Sequence, residues 1–377
     1  MPVPLSPVLA ELAQYPFARL DDWKAEARAR GIDLIDFGMG DPMEPTPEFI
    51  QRALADALPQ TAGYPRAGGL PELRDAIAAW LERRFAVRVG EATEIVPTLG
   101  SKEAIFSFAQ IALGEKRVVA VPEPGYPVYE RGALFAGGSV RTVPLTASSG
   151  WLPDLDAFDA WDEIALFWVC YPNNPTGAVA PLAFYEELAA RARAHGFLLC
   201  SDEAYSELWF DEPPVSALQV GDRSNVVVFN TLSKRSSMTG YRSGFVCAPP
   251  EIVAALHRFR PTVGTAPQEF VQRASVAAWS DESHVADVRE LYRAKRDTLL
   301  PALEAAGLRL AGSVATFYLW LQVDGPSEEF ARRLLEHGVV VAPGSFFGAA
   351  GEGYVRLALV PTQAECERAA AIVRAVL

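Results

Sequence analysis

Ile164-Ala-Leu-Phe-Trp-Val-Cys170 is an unbroken apolar run, and it constrains the fold more than any other segment. A strand with one wet face alternates apolar and polar residues; this one does not, so both of its faces must be covered. Residues 117–121, 140–145, 197–200, 226–229 and 244–248 read as further short apolar strands. Between them, residues 127–136 and 181–195 carry helical spacing. The second of these puts Leu182, Tyr185, Leu188, Ala189 and Ala192 on one face, with Glu186, Glu187, Arg191 and Arg193 elsewhere. Apolar strands alternating with helices predict an α/β fold whose large domain is a mainly parallel sheet covered by helices on both faces.

The flanks follow a different pattern. Residues 1–45 read as an N-terminal arm with a helix over about 20–30. A long polar helix at 285–303 leads into short strands at 317–323, 339–341 and 354–359, with helices at 328–336 and 363–376 beside them. This predicts a smaller α+β domain built from both chain ends: 1–45 as arm and part of the small domain, 46–280 as the large domain, and 281–377 as the rest.

Bulk properties exclude several classes. The net charge of −13 argues against a nucleic acid or an anionic membrane as partner. No uncharged apolar stretch is long enough to span a membrane, and Met1-Pro-Val-Pro-Leu5 lacks the basic start and apolar core of a signal peptide, so a cytoplasmic protein is expected. Cys170, Cys200, Cys247 and Cys366 are far apart, read as small buried side chains, and suit a reducing compartment. His195, His257, His284 and His337 show no metal-ligand spacing and read as structural or surface residues.

In open α/β sheets, ligands bind beyond the carboxyl ends of the strands. Three polar clusters directly follow apolar strands: Tyr171-Pro-Asn-Asn-Pro-Thr-Gly177, Ser201-Asp-Glu-Ala-Tyr205, and Asn230-Thr-Leu-Ser-Lys-Arg-Ser-Ser-Met-Thr-Gly-Tyr-Arg242. Asn174, Asp202 and Lys234 can therefore meet at one sheet edge. Their chemical types suit pyridoxal phosphate. Lys234 would form a Schiff base with the aldehyde. Asp202 would keep the pyridine nitrogen protonated, while Asn174 and Tyr205 would donate hydrogen bonds to the phenolate oxygen. Each residue also has an ordinary reading: a solvated lysine, an Asn-Pro-Thr-Gly turn or a helix-capping aspartate. Their coincidence after successive strands favours the cofactor.

Val96-Pro-Thr-Leu-Gly-Ser-Lys-Glu-Ala104 ends in a small-residue turn ahead of helical spacing at 105–113. Backbone N–H groups of Ser101 and Lys102 at that start would bind a phosphate. Ser233 and Arg242 would add a hydroxyl and a charge. The competing reading is a helix N-cap by Ser101 alone.

These segments together resemble a fold-type I, class I/II pyridoxal-phosphate-dependent aminotransferase over about residues 33–359. The resemblance adds Phe37-Gly-Met-Gly-Asp-Pro42, Gly63-Tyr-Pro-Arg-Ala-Gly-Gly-Leu-Pro-Glu-Leu-Arg74, Pro124-Gly-Tyr-Pro127, Pro343-Gly-Ser-Phe-Phe-Gly348 and Tyr354-Val-Arg-Leu357 to the segments above. It implies that Tyr126 stacks on the pyridine ring and that Tyr64 reaches the phosphate of a neighbouring subunit, hence a homodimer with shared active sites. It also implies that Arg356 grips the substrate α-carboxylate through a bidentate fork and that Gly40 offers it a backbone N–H. On the residues alone, Arg356 reads as a surface strand residue and Tyr64 and Tyr126 as core aromatics. In the implied cycle, the displaced Lys234 amine is the general base at the substrate Cα. One 2-oxo acid leaves, and a second, 2-oxoglutarate, takes up the amino group.

Further segments are similar to bacterial N-succinyldiaminopimelate aminotransferases: Leu99-Gly-Ser-Lys-Glu-Ala-Ile105, Ser233-Lys-Arg-Ser-Ser237, Arg242-Ser-Gly-Phe245, Leu291-Tyr-Arg-Ala-Lys295 and Phe317-Tyr-Leu-Trp320. The implied donor is N-succinyl-LL-2,6-diaminopimelate, in lysine biosynthesis, with Lys102, Arg235 and Arg19 as candidates for its extra carboxylates. Ala315-Thr316 departs from the glycine that relatives often carry there. An aspartate, alanine or aromatic aminotransferase and a carbon–sulfur β-lyase share the scaffold and stay open. A cofactor-sensing regulator is disfavoured because no winged helix precedes the arm and the charge is acidic.

Overall fold

In the computed structural model, which describes residues 5–377 apart from 13 and 62, the strands form three sheets. In chain order they are β1 (Ile35–Asp36), β2 (Ile95–Thr98), β3 (Val118–Glu123), β4 (Ser139–Pro144), β5 (Ile164–Cys170), β6 (Leu198–Asp202), β7 (Val226–Thr231), β8 (Gly244–Cys247), β9 (Arg309–Leu310), β10 (Tyr318–Gln322), β11 (Val339–Val340), β12 (Ala342–Pro343) and β13 (Tyr354–Ala358). The segment Met1-Pro-Val-Pro at the chain start lies outside the described residues.

The largest sheet has seven strands in the order β2-β8-β7-β6-β5-β3-β4. Neighbours from β4 through β7 are parallel, and β8 is antiparallel to both β7 and β2. Every residue of β5 and of β7 is buried, so both sheet faces are covered, as the apolar run required. The β7–β8 connection holds only the short turns Leu232–Arg235 and Thr239–Tyr241. Without a full crossover helix the chain returns antiparallel.

The helix Leu182–His195 shows how the coverage is built. Gly196 ends it in the left-handed region (φ 66°), where a side chain would be strained. Phe184, Tyr185, Leu188, Ala189 and Ala192 are buried. Truncating a fully buried leucine such as Leu188 to alanine costs about 2–5 kcal/mol.

The chain ends come together beside this sheet. β1 pairs in parallel with β11, Ile35 opposite Val339. The antiparallel sheet β12-β13-β10-β9 sets Arg356 between Ala342 and Trp320. Helices Ser283–Ala305, Ser327–Leu335 and Gln363–Val376 accompany it, the last closed by a Thr362–Glu365 capping box. The arm helix begins at Pro16, earlier than expected. Strand β2 was not among the expected strands; its Pro97 is tolerated because β2 is an edge strand, where a missing N–H costs little. Among the described residues, no helix is long and apolar enough to cross a membrane.

Candidate active site

The register of the sheet builds the site. Cys170 lies opposite Asp202, and Asp202 opposite Phe229, so β5, β6 and β7 end together. Asn174, Asp202 and Lys234 accordingly line one cavity of about 310 Å³, together with Gly40, Ser101, Lys102, Tyr126, Tyr205, Ser233, Arg242 and Arg356. The three strand-end clusters of the sequence form one site, as their positions after successive strands required.

Asn173 secures the turn after β5. Its side chain accepts the Thr176 N–H (3.0 Å) and hydroxyl (2.8 Å) and donates to the Cys170 carbonyl (3.2 Å). Asn174 faces the cavity instead, its Oδ1 accepting from Arg356 Nη1 at 2.8 Å. Asp202 closes β6 and is only 4% exposed. Its Oδ2 accepts from the Tyr129 hydroxyl at 2.8 Å and its Oδ1 from the Ala204 N–H at 3.2 Å. Burial pushes its carboxyl up to about 6, against the lowering effect of those two hydrogen bonds. A cation placed beside it would be held strongly.

Thr231, at the end of β7, caps the turn that carries Lys234 by accepting from the Ser233 N–H at 3.1 Å. Lys234 Nζ donates to the Gly40 carbonyl at 2.5 Å. Burial lowers its pKa to about 8; Asp41 opposes the shift, while Arg356, Arg242 and Lys102 add to it. A neutral, nucleophilic amine therefore lies within reach of neutral pH.

The helix Gly100–Ala112 starts without a side-chain cap, so its first N–H groups are not satisfied by a side chain. Ser101 sits inside that first turn rather than capping it. Arg242, itself left-handed (φ 55°), bridges to this start by donating to the Thr239 carbonyl (2.8 Å) and the Leu99 carbonyl (3.1 Å). A Cβ on Gly100 would lie 2.6 Å from Arg242 Nη2, so glycine permits the approach. Partial burial and Arg242 lower the Lys102 pKa. Four cationic side chains line the cavity (Lys102, Lys234, Arg242, Arg356) against two carboxylates (Asp41, Asp202), opposite in sign to the whole chain. An uncapped helix start beside cations suits a phosphate, a buried carboxylate suits a protonated ring nitrogen, and a depressed lysine suits an aldehyde. The residues fit pyridoxal phosphate.

The opposite wall comes from the chain ends. Arg356 is 2% exposed, which overturns its reading as a surface residue. Its Nη2 donates to the Gly38 carbonyl at 2.8 Å, and its guanidinium carbon lies 4.3 Å from the Tyr318 ring centre and 4.7 Å from that of Phe347. Its Nε has no partner among the described residues. Gly40 is dictated by Tyr318: a Cβ there would lie 2.1 Å from the Tyr318 hydroxyl. That hydroxyl is 2.9 Å from the Tyr205 hydroxyl, which places Tyr205 at the junction of the two walls. Gly40 engages Lys234 through its carbonyl, whereas the sequence pointed to its N–H.

Other expectations need correcting. Tyr64 is fully exposed and outside the cavity, so it is not a core aromatic; Tyr126 lines the cavity at the edge of the core. Arg235 is buried away from the cavity, donating to the Ala278 carbonyl (2.7 Å) and to Glu282 (2.7 Å). Arg19 pairs with Glu328 at 2.6 Å and does not line the cavity either. Of the three cations suggested for a polyanionic substrate, Lys102 alone is in place. Tyr129, Tyr15, Phe17, Phe347 and Asp41 were missed. Tyr129 had a signal, since it lies three residues beyond Tyr126 at helical spacing.

Similarity to known proteins agrees with this geometry. Residues 32–373 match the family described as aminotransferase class I and II. An LL-diaminopimelate aminotransferase of Nitratidesulfovibrio vulgaris is 41% identical over 374 residues, 96% of each chain. A solved aminotransferase from Neisseria meningitidis superposes with a TM-score of 0.91 at 38% identity, covering 99% of this chain and 100% of that one. A "probable N-succinyldiaminopimelate aminotransferase" from Thermus thermophilus does so with 0.89 at 34%, covering 96% and 100%. With a sheet edge that gathers an amine, a carboxylate and an anion cradle, and with this likeness along nearly its whole length, the chain belongs to the class I and II aminotransferases and is a pyridoxal-phosphate-dependent enzyme.

Proposed function

We propose that this aminotransferase moves an amino group between LL-diaminopimelate and 2-oxoglutarate. The observation that carries the chemistry is the single cavity in which Lys234, Asp202 and Arg356 converge. In this reading Ser101, Lys102, Ser233 and Arg242 hold the cofactor phosphate. Tyr126 covers the ring, Asp202 faces its nitrogen, and Asn174 and Tyr205 face its phenolate oxygen. When bound, the cofactor supplies an electron sink for negative charge at the substrate Cα. Lys234 Nζ would take the proton from that Cα and deliver it to the cofactor carbon that carried the aldehyde. Arg356 and Gly40 orient the substrate carboxylate.

The choice between free and N-succinylated donor follows from charge. A free diaminopimelate ends in an ammonium and a carboxylate, and the cavity offers Asp41 to the ammonium. Succinylation removes the ammonium and adds a carboxylate, yet Arg19 and Arg235 are committed elsewhere. The 41% identical relative carries the LL-diaminopimelate name, and the N-succinyl name belongs to a neighbour at 34%. The free form replaces the N-succinyl donor expected from the sequence.

The same proposal takes residues 46–280 as the large domain, 1–45 as an N-terminal arm and part of the small domain, 281–377 as the rest of the small domain, and a homodimer in which Tyr64 serves the neighbouring site. Exposed Met43, Leu58 and Tyr64 support such an interface. Four buried free cysteines suit the cytoplasm.

A donor panel with 2-oxoglutarate as acceptor tests the reading. LL-diaminopimelate should exceed N-succinyl-LL-diaminopimelate, aspartate, alanine and phenylalanine in kcat/KM by roughly tenfold or more. Preference for any of the others, or release of pyruvate and ammonia from a β-thio amino acid as the main activity, would overturn it.

A further inference from the structure

Arg260 lies outside the cavity and has no exposed surface. It stands in the last turn of the helix Pro250–Val263, where its Nη1 donates to both carboxylate oxygens of Glu103, at 2.8 and 2.9 Å. Its Nε and Nη2 have no partner among the described residues. A buried guanidinium that uses one nitrogen of three is a poor source of stability, because its desolvation is only partly repaid. Its position suggests another purpose.

Glu103 belongs to the first turn of the helix Gly100–Ala112, directly after Lys102. Its Oε2 also accepts from the Leu99 N–H at 3.3 Å, and the Leu99 carbonyl accepts from Arg242 Nη2 at 3.1 Å. A line of hydrogen bonds thus runs from Arg260 through Glu103 and Leu99 to Arg242, at the anion-binding end of the cavity. A carboxylate in a first helical turn stabilises the helix. Here the same turn must also receive a phosphate dianion, and an uncompensated Glu103 would repel it.

We propose that Arg260 is a positioning residue for the cofactor phosphate: it neutralises Glu103 and fixes the Leu99–Glu103 turn, leaving the helix N–H groups and Arg242 to the anion. The inference rests on assigning that helix start to the phosphate. Lys102 and Arg242 contact the anion directly, whereas Arg260 acts through Glu103.

The test titrates the cofactor-free protein with pyridoxal phosphate and, separately, with pyridoxal, which lacks the phosphate. Arg260→Met should weaken pyridoxal phosphate by roughly tenfold or more while leaving pyridoxal nearly unchanged, as expected for an exposed like charge beside the anion. Glu103→Gln should stay within about threefold of the parent, and Glu103→Gln with Arg260→Met should recover most of the loss, because no charge is then left to neutralise. Arg260→Lys, which keeps the charge, should also hold affinity and serves if the methionine variant does not fold. An equal loss for both ligands, or no recovery in the double variant, would mean that Arg260 acts by packing and would overturn the proposal. Arg242→Met separates the two layers of the inference. If it weakens pyridoxal phosphate selectively and no Arg260 variant does, the proposal fails and the cradle stands. If neither does, both fall.

Discussion

The wall formed by β5, β6 and β7 and the wall formed by the chain ends meet at one cavity but are constructed differently. On the sheet side, Asn174, Asp202 and Lys234 follow buried strands whose ladders fix them in register. On the other side, Gly38 and Arg356 are 318 positions apart and joined by one hydrogen bond. The strands β1, β11 and β12 beside them are two residues long. A continuous buried ladder resists displacement, whereas short strands and loops open more cheaply. We therefore assign the cofactor to the rigid wall and substrate recognition to the adaptable one. The two walls touch where Lys234 meets Gly40, where Tyr205 meets Tyr318 and where Arg356 meets Asn174.

Substitutions can break this division in order of expected size. Lys234→Ala removes the amine of the rigid wall: turnover should fall by about 10³-fold or more, and the bound cofactor's visible absorption should change with it. Near-normal transamination by that variant would remove Lys234 from the chemistry. Arg356→Lys touches the other wall, replacing a planar fork by a point charge. Steady-state kinetics should show kcat/KM down by about 10²-fold, with the cofactor spectrum of the resting enzyme unchanged. An altered spectrum would mean that the walls are not separable.

The smallest effect is a pH dependence. Lys234 is lowered from 10.5 to about 8, so below pH 8 most of its amine is protonated and only the shrinking neutral fraction attacks an aldehyde. Stopped-flow association of pyridoxal phosphate with the cofactor-free protein should accelerate about tenfold per pH unit up to about 8 and then level off. Between about 8 and 10.5 the unfolded chain binds a proton that the folded one does not, so the folding cost of burying this lysine fades as pH rises. A rate independent of pH would place the attacking amine elsewhere.

The rigid wall was legible in the sequence because burial, register and polarity all change at the strand ends. Asn174, Asp202 and Lys234 could be placed together from the apolar runs alone. The adaptable wall was not. Arg356 stands in a short strand whose neighbours alternate weakly, and only pairing with β10 and β12 buries it. Tyr318 lay in a recognised segment without a role, because its contact with Gly40 joins distant parts of the chain. Arg235 misled for the converse reason. It follows Lys234 directly, yet a residue adjacent in a one-turn helix points elsewhere, here to Glu282. Helices Pro71–Phe85, Pro250–Val263 and Glu269–Ser280 were also not anticipated.

The central claim is that the rigid wall binds the cofactor through Lys234. Borohydride reduction of the purified holoenzyme, followed by peptide mass mapping, tests it most directly. The cofactor mass should appear on the peptide containing Lys234 and should be absent from Lys102 and Lys295. Its recovery on either of those, or failure to trap any adduct in a protein that still transaminates, would contradict the claim.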